Sequence, residues 1–359
     1  MTASSYPGFE RILIVRLSSM GDVIHALPAA AMLREAFPHA TLGWLIEERW
    51  AELLCTLSYT RAGERSPQRP LVDHLHPVSL KRWRRELISP QTWERVAAGL
   101  SDLRAVHYQA AIDFQGAVRS AILARWSGAP TVYGATQPRE NAASMWYTRI
   151  VLTRGSHVVQ QACSLAEALV GRTLPIPPAR FPCDAIAESA MDLRLHELGI
   201  HDFAILNPGA GWGAKQWPAQ RYGEVAQSLA RAGLTAILNY GPGEEGLART
   251  AEAASGGTSV ALSFSISELI SLTRRAKLFI GGDTGPMHLA AALGVPVVAL
   301  FGPTDPARNG PFGTHSIVLR NPESRNSLSH KNESDPGLLE IMPAEVIQAA
   351  RQLLGIARG

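Results

Sequence analysis

A polar loop follows the first strongly apolar run of the sequence and ends on a carboxylate. It reads Arg16-Leu-Ser-Ser-Met-Gly-Asp22, and Gly21 within it permits a tight turn. An aspartate in such a place can remove a proton from a substrate hydroxyl, provided that its carboxylate faces the ligand. Ser18, Ser19 and Asp22 are equally suited to cap the helix that follows. The residues alone therefore leave two roles open for Asp22, a general base or a helix cap.

A second loop, Gly281-Gly-Asp-Thr-Gly-Pro-Met-His288, has the composition of an anion-binding turn. Its three glycines let a ligand approach the backbone. Pro286 suits the first turn of a helix, whose free N–H groups attract phosphate. The Thr284 hydroxyl adds another hydrogen-bond donor. A tight turn capped by Asp283 or Thr284 is the structural alternative, but we expect a phosphate-binding loop.

Two more loops carry charged residues after apolar runs. Lys215 lies in the glycine-rich segment 207–218 and is either a solvated surface charge or the partner of a diphosphate. Glu244 and Glu245 follow a Tyr-Gly-Pro-Gly turn, where a glutamate either hydrogen-bonds a sugar hydroxyl or stabilises the start of a helix. The loop at 300–306, with the sequence LFGPTDP, is interpreted as a structural turn.

The small positive charge of the chain is concentrated in one segment. Over 359 residues, 34 basic and 31 acidic side chains leave a net charge of +3, whereas residues 59–95 contain eight basic and four acidic ones. The centre of this segment is Leu80-Lys-Arg-Trp-Arg-Arg85. A solvated face and a nucleic-acid patch are the alternatives. The nearly neutral total favours a loop that binds an anionic ligand, since arginine pairs well with phosphate, and no nucleic-acid partner is expected.

Composition and missing motifs exclude several classes of protein. Apolar residues make up 46% of the chain and charged residues 18%, which rules out a disordered protein. Three cysteines form no CxxC pair, so we expect a reducing compartment and no structural metal. No apolar run has the length of a membrane span. The sequence has no Asp-x-Asp, Walker lysine, GxSxG or HExxH motif, and we expect neither a metal nor a cofactor.

Short apolar runs alternate with helical segments along the chain, which is the pattern of parallel sheets built from βαβ units. The predicted strands are 11–15, 41–46, 110–114, 131–133, 203–206, 235–239, 278–280 and 295–300. Segment 171–183 contains four prolines and is interpreted as an interdomain linker. We therefore expect two Rossmann-like domains, in which ligands bind at the carboxyl ends of the strands.

Residues 16–28 and 282–291 together resemble the ADP-heptose:lipopolysaccharide heptosyltransferases, the inverting glycosyltransferases of family 9. Segments 81–85, 112–116 and 144–149, with Arg139-Glu140, are most similar to the heptosyltransferase I branch. The resemblance implies an α/β fold of the GT-B class, two Rossmann-like domains with parallel sheets facing across a central cleft. It places an acceptor-binding domain at residues 1–175 and a donor-binding domain at 176–359, whose last helix is a candidate to pack back on the first domain.

The resemblance also implies a role for each matching residue. Asp22 corresponds to the aspartate that takes the proton of the acceptor hydroxyl, and Lys215 to the lysine that neutralises the donor diphosphate. The implied donor-binding residues are Glu245, with Glu244 as an alternative, Asp283, Thr284, Gly285 and His288. The implied acceptor-binding residues are Ser18, Ser19, Gly21, Lys81, Arg82, Arg84, Arg85, Gln115 and Arg139. Residues 209–214 depart from the threonine-bearing pattern of the family.

The implied reaction moves L-glycero-D-manno-heptose from ADP-heptose to the Kdo region of Kdo-lipid A, with inversion and without a metal ion. Such an enzyme belongs to the cytoplasm and binds peripherally to the inner leaflet of the inner membrane. A heptosyltransferase II-like acceptor or another nucleotide-sugar donor is the alternative within the family. Outside it, a nucleotide-sugar epimerase, a non-catalytic ADP-binding protein and a nucleic-acid-binding module are the competing hypotheses.

Overall fold

The structure is a computed structural model that describes residues 8–86, 89–324 and 333–356. The chain divides into two compact units, Met1–Cys183 and Asp184–Gly359. The division falls at the end of the proline-rich segment 171–183, beyond the boundary at residue 175 that the sequence suggests. This segment is attached to the first unit, because Cys183 N donates to Pro67 O (2.9 Å) and Arg180 pairs with Glu35 at 2.5 Å.

Six parallel strands form the sheet of the first unit within its described residues, in the order β3-β2-β1-β4-β5-β6. The elements of this unit are β1 (Arg11–Val15), α1 (Met20–Ala36), β2 (Thr41–Glu47), β3 (His74–Val78), α2 (Leu80–Arg85), α3 (Pro90–Ala105), β4 (Ala110–Asp113), α4 (Val118–Trp126), β5 (Thr131–Ala135), β6 (Arg149–Val151) and α5 (Val158–Val170). The central strand β1 is a continuous apolar run with Ile12 to Val15 fully buried, as expected for a strand covered on both faces.

The second unit repeats this architecture, again with six parallel strands over the part of it that is described, ordered β12-β11-β10-β7-β8-β9. Its elements are α6 (Ala185–Glu197), β7 (Phe203–Asn207), α7 (Ala219–Arg231), β8 (Thr235–Asn239), α8 (Glu245–Ala254), β9 (Ser259–Leu262), α9 (Ile266–Arg275), β10 (Leu278–Gly282), α10 (Gly285–Ala292), β11 (Val297–Phe301), α11 (Pro306–Asn309), β12 (Ser316–Arg320), α12 (Pro336–Leu339) and α13 (Pro343–Leu353).

Both sheets have the doubly wound strand order of Rossmann-like folds. In each unit the fourth strand pairs with the first, so that strands two and three lie on one side of the first strand and strands four to six on the other. The direction of strand addition reverses between β1 and β4 in one sheet and between β7 and β10 in the other. These two reversal points are where a ligand is expected. The predicted α/β fold with two parallel sheets is confirmed.

The last helix packs within the second unit. Its residues Val346 and Ala350 belong to the same core cluster as Trp217 and Tyr222. Trp217 lies in the loop before α7, and Tyr222 lies on α7. The indole Nε1 of Trp217 donates to Ile341 O (2.9 Å), just before α13 begins. The helix therefore completes the core that supports β10 and β11.

The basic segment at the centre of the local charge excess forms a short helix, α2, rather than the loop that we expect from the sequence. Trp83 on this helix is half-buried and packs against the apolar cluster of the first unit, which holds the helix in place. Among the helices that the structure describes, none combines the length and the hydrophobicity needed to cross a bilayer.

Candidate active site

Two strand-end loops of the second unit meet at its reversal point. β7 and β10 are hydrogen-bonded neighbours, and each is followed by one of the glycine-rich loops. Lys215 Nζ lies 2.5 Å from Asp283 Oδ2 and 3.3 Å from Asp283 O, so an ion pair joins the two loops. Two of the residues implied by the sequence are therefore in direct contact, in the place where open α/β sheets bind their ligands.

Lys215 is held by its own loop. It closes a turn of 3₁₀ helix, Gly213–Lys215, in which Lys215 N donates to Trp212 O (3.1 Å). The ammonium group lies 4.2 Å from the centre of the Trp212 ring, within range of a cation–π interaction. Only 11% of the side chain is exposed. The interpretation of Lys215 as a solvated surface charge is therefore wrong.

Asp283 is a buried carboxylate that uses both oxygens. Oδ2 faces Lys215, and Oδ1 lies 3.0 Å from His288 Nε2 on α10. Burial alone would raise the pKa of Asp283. The hydrogen bond and charge of His288, together with the charge of Lys215, outweigh burial and hold this pKa well below its ordinary range. The carboxylate is thus ionised at neutral pH and fixes the positions of a lysine and a histidine.

The start of α10 presents hydrogen-bond donors that have no partner in the described part of the chain. Thr284 is the N-cap residue, Gly285 begins the helix and Pro286 occupies its first turn, as the sequence predicts. The Thr284 hydroxyl is buried, and no residue described in the structure hydrogen-bonds to it. The first N–H groups of a helix also have no partner within the helix. A buried hydroxyl beside free N–H groups can bind phosphate oxygens.

Thr304 is a second buried hydroxyl of this kind, and the sequence analysis missed it. It lies in the loop after β11, the strand that pairs with β10, so both hydroxyls follow the carboxyl ends of neighbouring strands. Thr304 is 6% exposed, and its Oγ1 has no hydrogen-bond partner in residues 8–86, 89–324 and 333–356. A residue that only shapes a turn normally pairs its buried hydroxyl. Thr304 is therefore a further candidate for a ligand contact.

Glu244 and Glu245 differ sharply in their surroundings. The Glu244 carboxylate accepts a hydrogen bond from Gly241 N (2.9 Å) and lies against Gly209 in the loop after β7. Glu245, by contrast, is exposed over 62% of its side chain and pairs with Arg249 one turn further along α8 (3.5 Å). The structure therefore brings Glu244 to the strand-end loops, whereas Glu245 faces its own helix.

Two buried asparagines at the ends of β7 and β8 are hydrogen-bonded to each other, next to these loops. Asn207 ends β7 and Asn239 ends β8, and Asn239 Nδ2 donates to Asn207 Oδ1 at 2.6 Å. Asn207 Nδ2 donates in turn to Gly209 O (2.9 Å). Sequence reasoning did not single out either residue. The signal was available, since a polar residue as the last member of an apolar strand is placed at the binding edge of a parallel sheet.

In the first unit, Asp22 lies on the first turn of α1 and has partners on both oxygens. Oδ2 accepts hydrogen bonds from Ser19 N (2.8 Å) and Ser19 Oγ (2.9 Å), and Oδ1 lies 2.5 Å from Arg16 Nη2. The contact with Ser19 is the expected cap. One third of the Asp22 side chain remains exposed (33%), so the carboxylate is also accessible to a substrate. Asp22 can therefore cap the helix through Ser19 and still present its carboxylate to a substrate.

The loop after β4 faces the loop after β1 at the reversal point of the first sheet. Gln115 Oε1 accepts from Leu17 N (2.8 Å), and its buried Nε2 has no partner in the described part of the chain. Asp113 anchors the loop, because its buried carboxylate accepts hydrogen bonds from Gln115 N (2.9 Å) and Tyr147 Oη (2.8 Å). Burial raises the pKa of Asp113 in spite of these bonds.

The other implied acceptor-binding residues also follow strand ends of the first sheet. Arg82 and Arg85 are exposed on α2, directly after β3, and Arg82 pairs with Glu86 at 3.1 Å. Arg139 is exposed after β5, and its backbone packs so closely on Gly116 that a Cβ there would lie 2.8 Å from Arg139 N. Ser18 and Gly21 lie in and just after the loop that leads to Asp22. The side chains of Lys81 and Arg84 lie outside the described residues.

No cluster of three or more histidine, cysteine, aspartate or glutamate side chains suited to a metal ion occurs in the described part of either unit. Positive groups that follow strands in the described residues include Lys215 in the second unit and Arg16 in the first. At the strand ends of the second sheet, negative charge on a ligand can thus be stabilised by Lys215 and by the start of α10.

Comparison with curated proteins connects this geometry to one family. The chain is 31% identical over 324 residues to lipopolysaccharide heptosyltransferase 1 of Pseudomonas aeruginosa, which covers 86% of this chain and 83% of the relative. It is 30% identical over 316 residues to lipopolysaccharide heptosyltransferase 1 of Escherichia coli K12, covering 87% and 94% of the two chains.

Solved structures agree with this relationship. The E. coli heptosyltransferase WaaC with ADP superposes with a TM-score of 0.75 at 27% sequence identity, covering 96% of this chain and 99% of the other, which confirms the GT-B fold class. The model of glycosyltransferase family 9 (heptosyltransferase) matches residues 97–337. The chain therefore belongs to glycosyltransferase family 9, the heptosyltransferases, and is a glycosyltransferase.

Proposed function

We propose that the chain transfers L-glycero-D-manno-heptose from ADP-heptose to the Kdo region of Kdo-lipid A. The observation that carries the proposal is the contact between Lys215 and Asp283 at the reversal point of the second sheet, beside the buried Thr284 hydroxyl. This contact supports the proposal because a diphosphate needs a positive charge and hydrogen-bond donors, and Lys215 and the Thr284 hydroxyl, which lacks a partner among the described residues, offer both. The names of the relatives supply the heptose, and the solved relative holds ADP.

The second unit is the proposed donor-binding unit. Thr284, Gly285 and the first turn of α10 bind the phosphates, while Lys215 neutralises the negative charge that grows on ADP as it departs. Asp283 and His288 hold the loops after β7 and β10 in position and contact the sugar. For the hydroxyl groups of the donor we favour Glu244 over Glu245, because its carboxylate lies among the strand-end loops.

The first unit is the proposed acceptor-binding unit, and Asp22 is its base. The acceptor hydroxyl oxygen bonds to the anomeric carbon from the face opposite to ADP, while the bond between that carbon and the ADP oxygen breaks. Asp22 takes the hydroxyl proton, and ADP leaves with the bonding electron pair. This single displacement inverts the anomeric centre. A positioned base contributes about 10²–10⁴ in rate, and preorganised donors at the leaving group contribute a few kcal/mol each.

Arginines on the first unit suit an acceptor that carries phosphate and carboxylate groups. Arg82, Arg85 and Arg139 are exposed after two different strand ends, β3 and β5, and arginine binds both groups in bidentate geometry. Ser18, Ser19, Gly21 and Gln115 line the approach to Asp22 in this proposal. Because Kdo-lipid A is an anionic lipid, we place the reaction at the cytoplasmic face of the inner membrane, with the protein bound peripherally.

The proposal is tested by incubating the purified chain with ADP-heptose and Kdo-lipid A, and identifying the product by mass spectrometry. We expect Kdo-lipid A enlarged by one heptosyl residue, an inverted anomeric configuration by NMR, and unchanged turnover in EDTA. Product formed only from an already heptosylated acceptor would favour the heptosyltransferase II-like alternative. Release of free sugar or an epimerised nucleotide sugar, with no glycolipid product, would contradict the proposal.

A further inference from the structure

Arg16 occupies a fixed position between the first and fourth strands of the first unit. It directly follows β1, and its backbone is bound to β2: Arg16 N donates to Leu45 O (3.2 Å), and Arg16 O accepts from Trp44 Nε1 (3.1 Å). The side chain is 12% exposed. Because its backbone is fixed and its side chain is nearly buried, Arg16 can reach few other hydrogen-bond partners.

The guanidinium group joins Asp22 to the rest of the sheet. Nη2 lies 2.5 Å from Asp22 Oδ1, and Nη1 donates to Phe114 O in the loop after β4. The other carboxylate oxygen of Asp22 is bound by Ser19, which lies three residues earlier in the chain. Ser19 therefore ties Asp22 to the start of its own helix, while Arg16 ties it to the two strands that flank the reversal point.

The Arg16 contacts are a poor way to stabilise the fold. Nε of Arg16 is buried and has no hydrogen-bond partner among the described residues, and a buried donor left unpaired costs about 1–3 kcal/mol. Asp22 is partly exposed and does not need an internal counter-charge. An ion pair with a partly exposed carboxylate contributes little to folding stability, because solvent screens the charges. A role in folding stability therefore does not explain the residue.

We propose that Arg16 is a positioning residue, which fixes the orientation of the Asp22 carboxylate toward the acceptor hydroxyl. The inference rests on the proposed role of Asp22 as the base. The two N–H groups of a guanidinium reach two acceptors in a fixed plane, so the carboxylate is held relative to Phe114 O rather than only to its own helix turn. Misplacement of a catalytic group by about 1 Å can cost 10²-fold in rate.

The test compares Arg16→Met and Arg16→Lys with the wild-type chain, measuring kcat, the KM of both substrates and the melting temperature. We expect Arg16→Met to lower kcat by about 10–100-fold with both KM values nearly unchanged. We expect its melting temperature to change little, because Asp22 is partly exposed and keeps its hydrogen bonds from Ser19. Arg16→Lys restores the charge and one hydrogen bond, and we expect it to recover part of the lost kcat. Arg61→Met is the matched control, because Arg61 forms an exposed ion pair with Glu48 in the same unit.

A kcat of Arg16→Met close to that of the wild type would overturn the inference. A loss of activity that parallels a large fall in melting temperature, without rescue by lysine, would assign Arg16 a structural role and overturn it as well. If the wild-type chain transfers no heptose, the proposed function fails separately. The urea midpoints of Arg16→Met, Asp22→Asn and the double variant then test the contact itself, and strictly additive shifts would show that the two side chains are not coupled.

Discussion

The Glu244 carboxylate lies directly against the α-carbon of Gly209, so that a Cβ at residue 209 would come within 2.2 Å of the Glu244 carboxyl carbon. Gly209 follows β7 and Glu244 follows β8, and the contact brings two neighbouring strand-end loops together. Asn207 and Asn239, at the ends of the same two strands, are hydrogen-bonded beneath it. The edge of the second sheet that we propose as the donor site is thus built from close approaches of backbone and polar side chains.

The two adjacent glutamates should respond differently to the same substitution. We expect Glu244→Gln to raise the KM for ADP-heptose by about tenfold, since a hydrogen bond to a charged group contributes about 1.5–3 kcal/mol. Glu245→Gln removes only an exposed pair with Arg249, and such pairs contribute little. Steady-state kinetics at varied ADP-heptose concentration measures the KM of both variants. A larger effect of Glu245→Gln would restore the assignment that the family resemblance implies.

Lys215→Met should weaken ADP binding strongly. The substitution keeps the length of the side chain but removes the charge opposite Asp283, leaving a buried carboxylate with His288 as its remaining side-chain partner. We expect ADP affinity to fall by at least about tenfold in isothermal titration calorimetry. Lys277→Met is the control, because Lys277 belongs to the same unit but is 57% exposed and pairs with Asp202 at 3.4 Å. Equal affinity in the two variants would show that Lys215 does not contact the diphosphate.

The two unpaired threonine hydroxyls give a prediction with opposite signs for stability and binding. We expect Thr284→Val and Thr304→Val to leave the melting temperature unchanged or higher, because each removes a buried hydroxyl that has no hydrogen-bond partner among the described residues. Each should also weaken ADP binding by about 3–10-fold, the value of one hydrogen bond. Thr273→Val is the control, since Thr273 Oγ1 already donates to Leu269 O (2.6 Å). A lower melting temperature with unaltered ADP affinity would identify the hydroxyls as structural.

His76 predicts a pH dependence of folding stability. Burial, followed by the proximity of His74, lowers the pKa of His76 from 6.5 to about 4, and its Nε2 lies 2.7 Å from Tyr108 Oη. A histidine in the unfolded chain titrates near 6.5. The unfolded state therefore binds the proton first, and the free energy of unfolding decreases as the pH falls from about 6.5 to about 4.

His76→Gln keeps a hydrogen-bonding group near Tyr108 but cannot titrate. We expect urea unfolding of this variant to depend less on pH between about 6.5 and 4 than unfolding of the wild type, while all other titrating groups cancel in the comparison. Parallel stability curves for the two proteins across that range would show that His76 is not held neutral by burial.

The strands that the sequence predicts are the central ones, and those that it misses are the four edges, β3, β6, β9 and β12. A strand buried on both faces requires an uninterrupted apolar run, as in β1 and β10. An edge strand has one neighbour and tolerates other residues. Pro77 is part of β3, and β6 has three residues, two of them exposed. The pattern that identifies central strands is therefore absent where only one side is paired.

The loops of the site could be predicted, but not most of their internal contacts. Glycine content and position after a strand identify the loops that contain Asp22, Lys215 and Asp283. The contact of Lys215 with Asp283 joins residues 68 positions apart and depends on the pairing of β7 with β10. Thr304 becomes visible only when its buried hydroxyl is found to lack a partner among the described residues.

Turnover of Asp22→Asn, measured together with its ADP affinity, tests the central claim most directly. Asparagine preserves the shape of the side chain and can still accept a hydrogen bond from Ser19, but it cannot take up the proton of the acceptor hydroxyl. We predict that the rate of heptose transfer to Kdo-lipid A, measured by mass spectrometry of the product, falls by about 10²–10⁴-fold. ADP affinity should stay within about twofold of the wild type. Near-normal transfer by Asp22→Asn would contradict the assignment of Asp22 as the base.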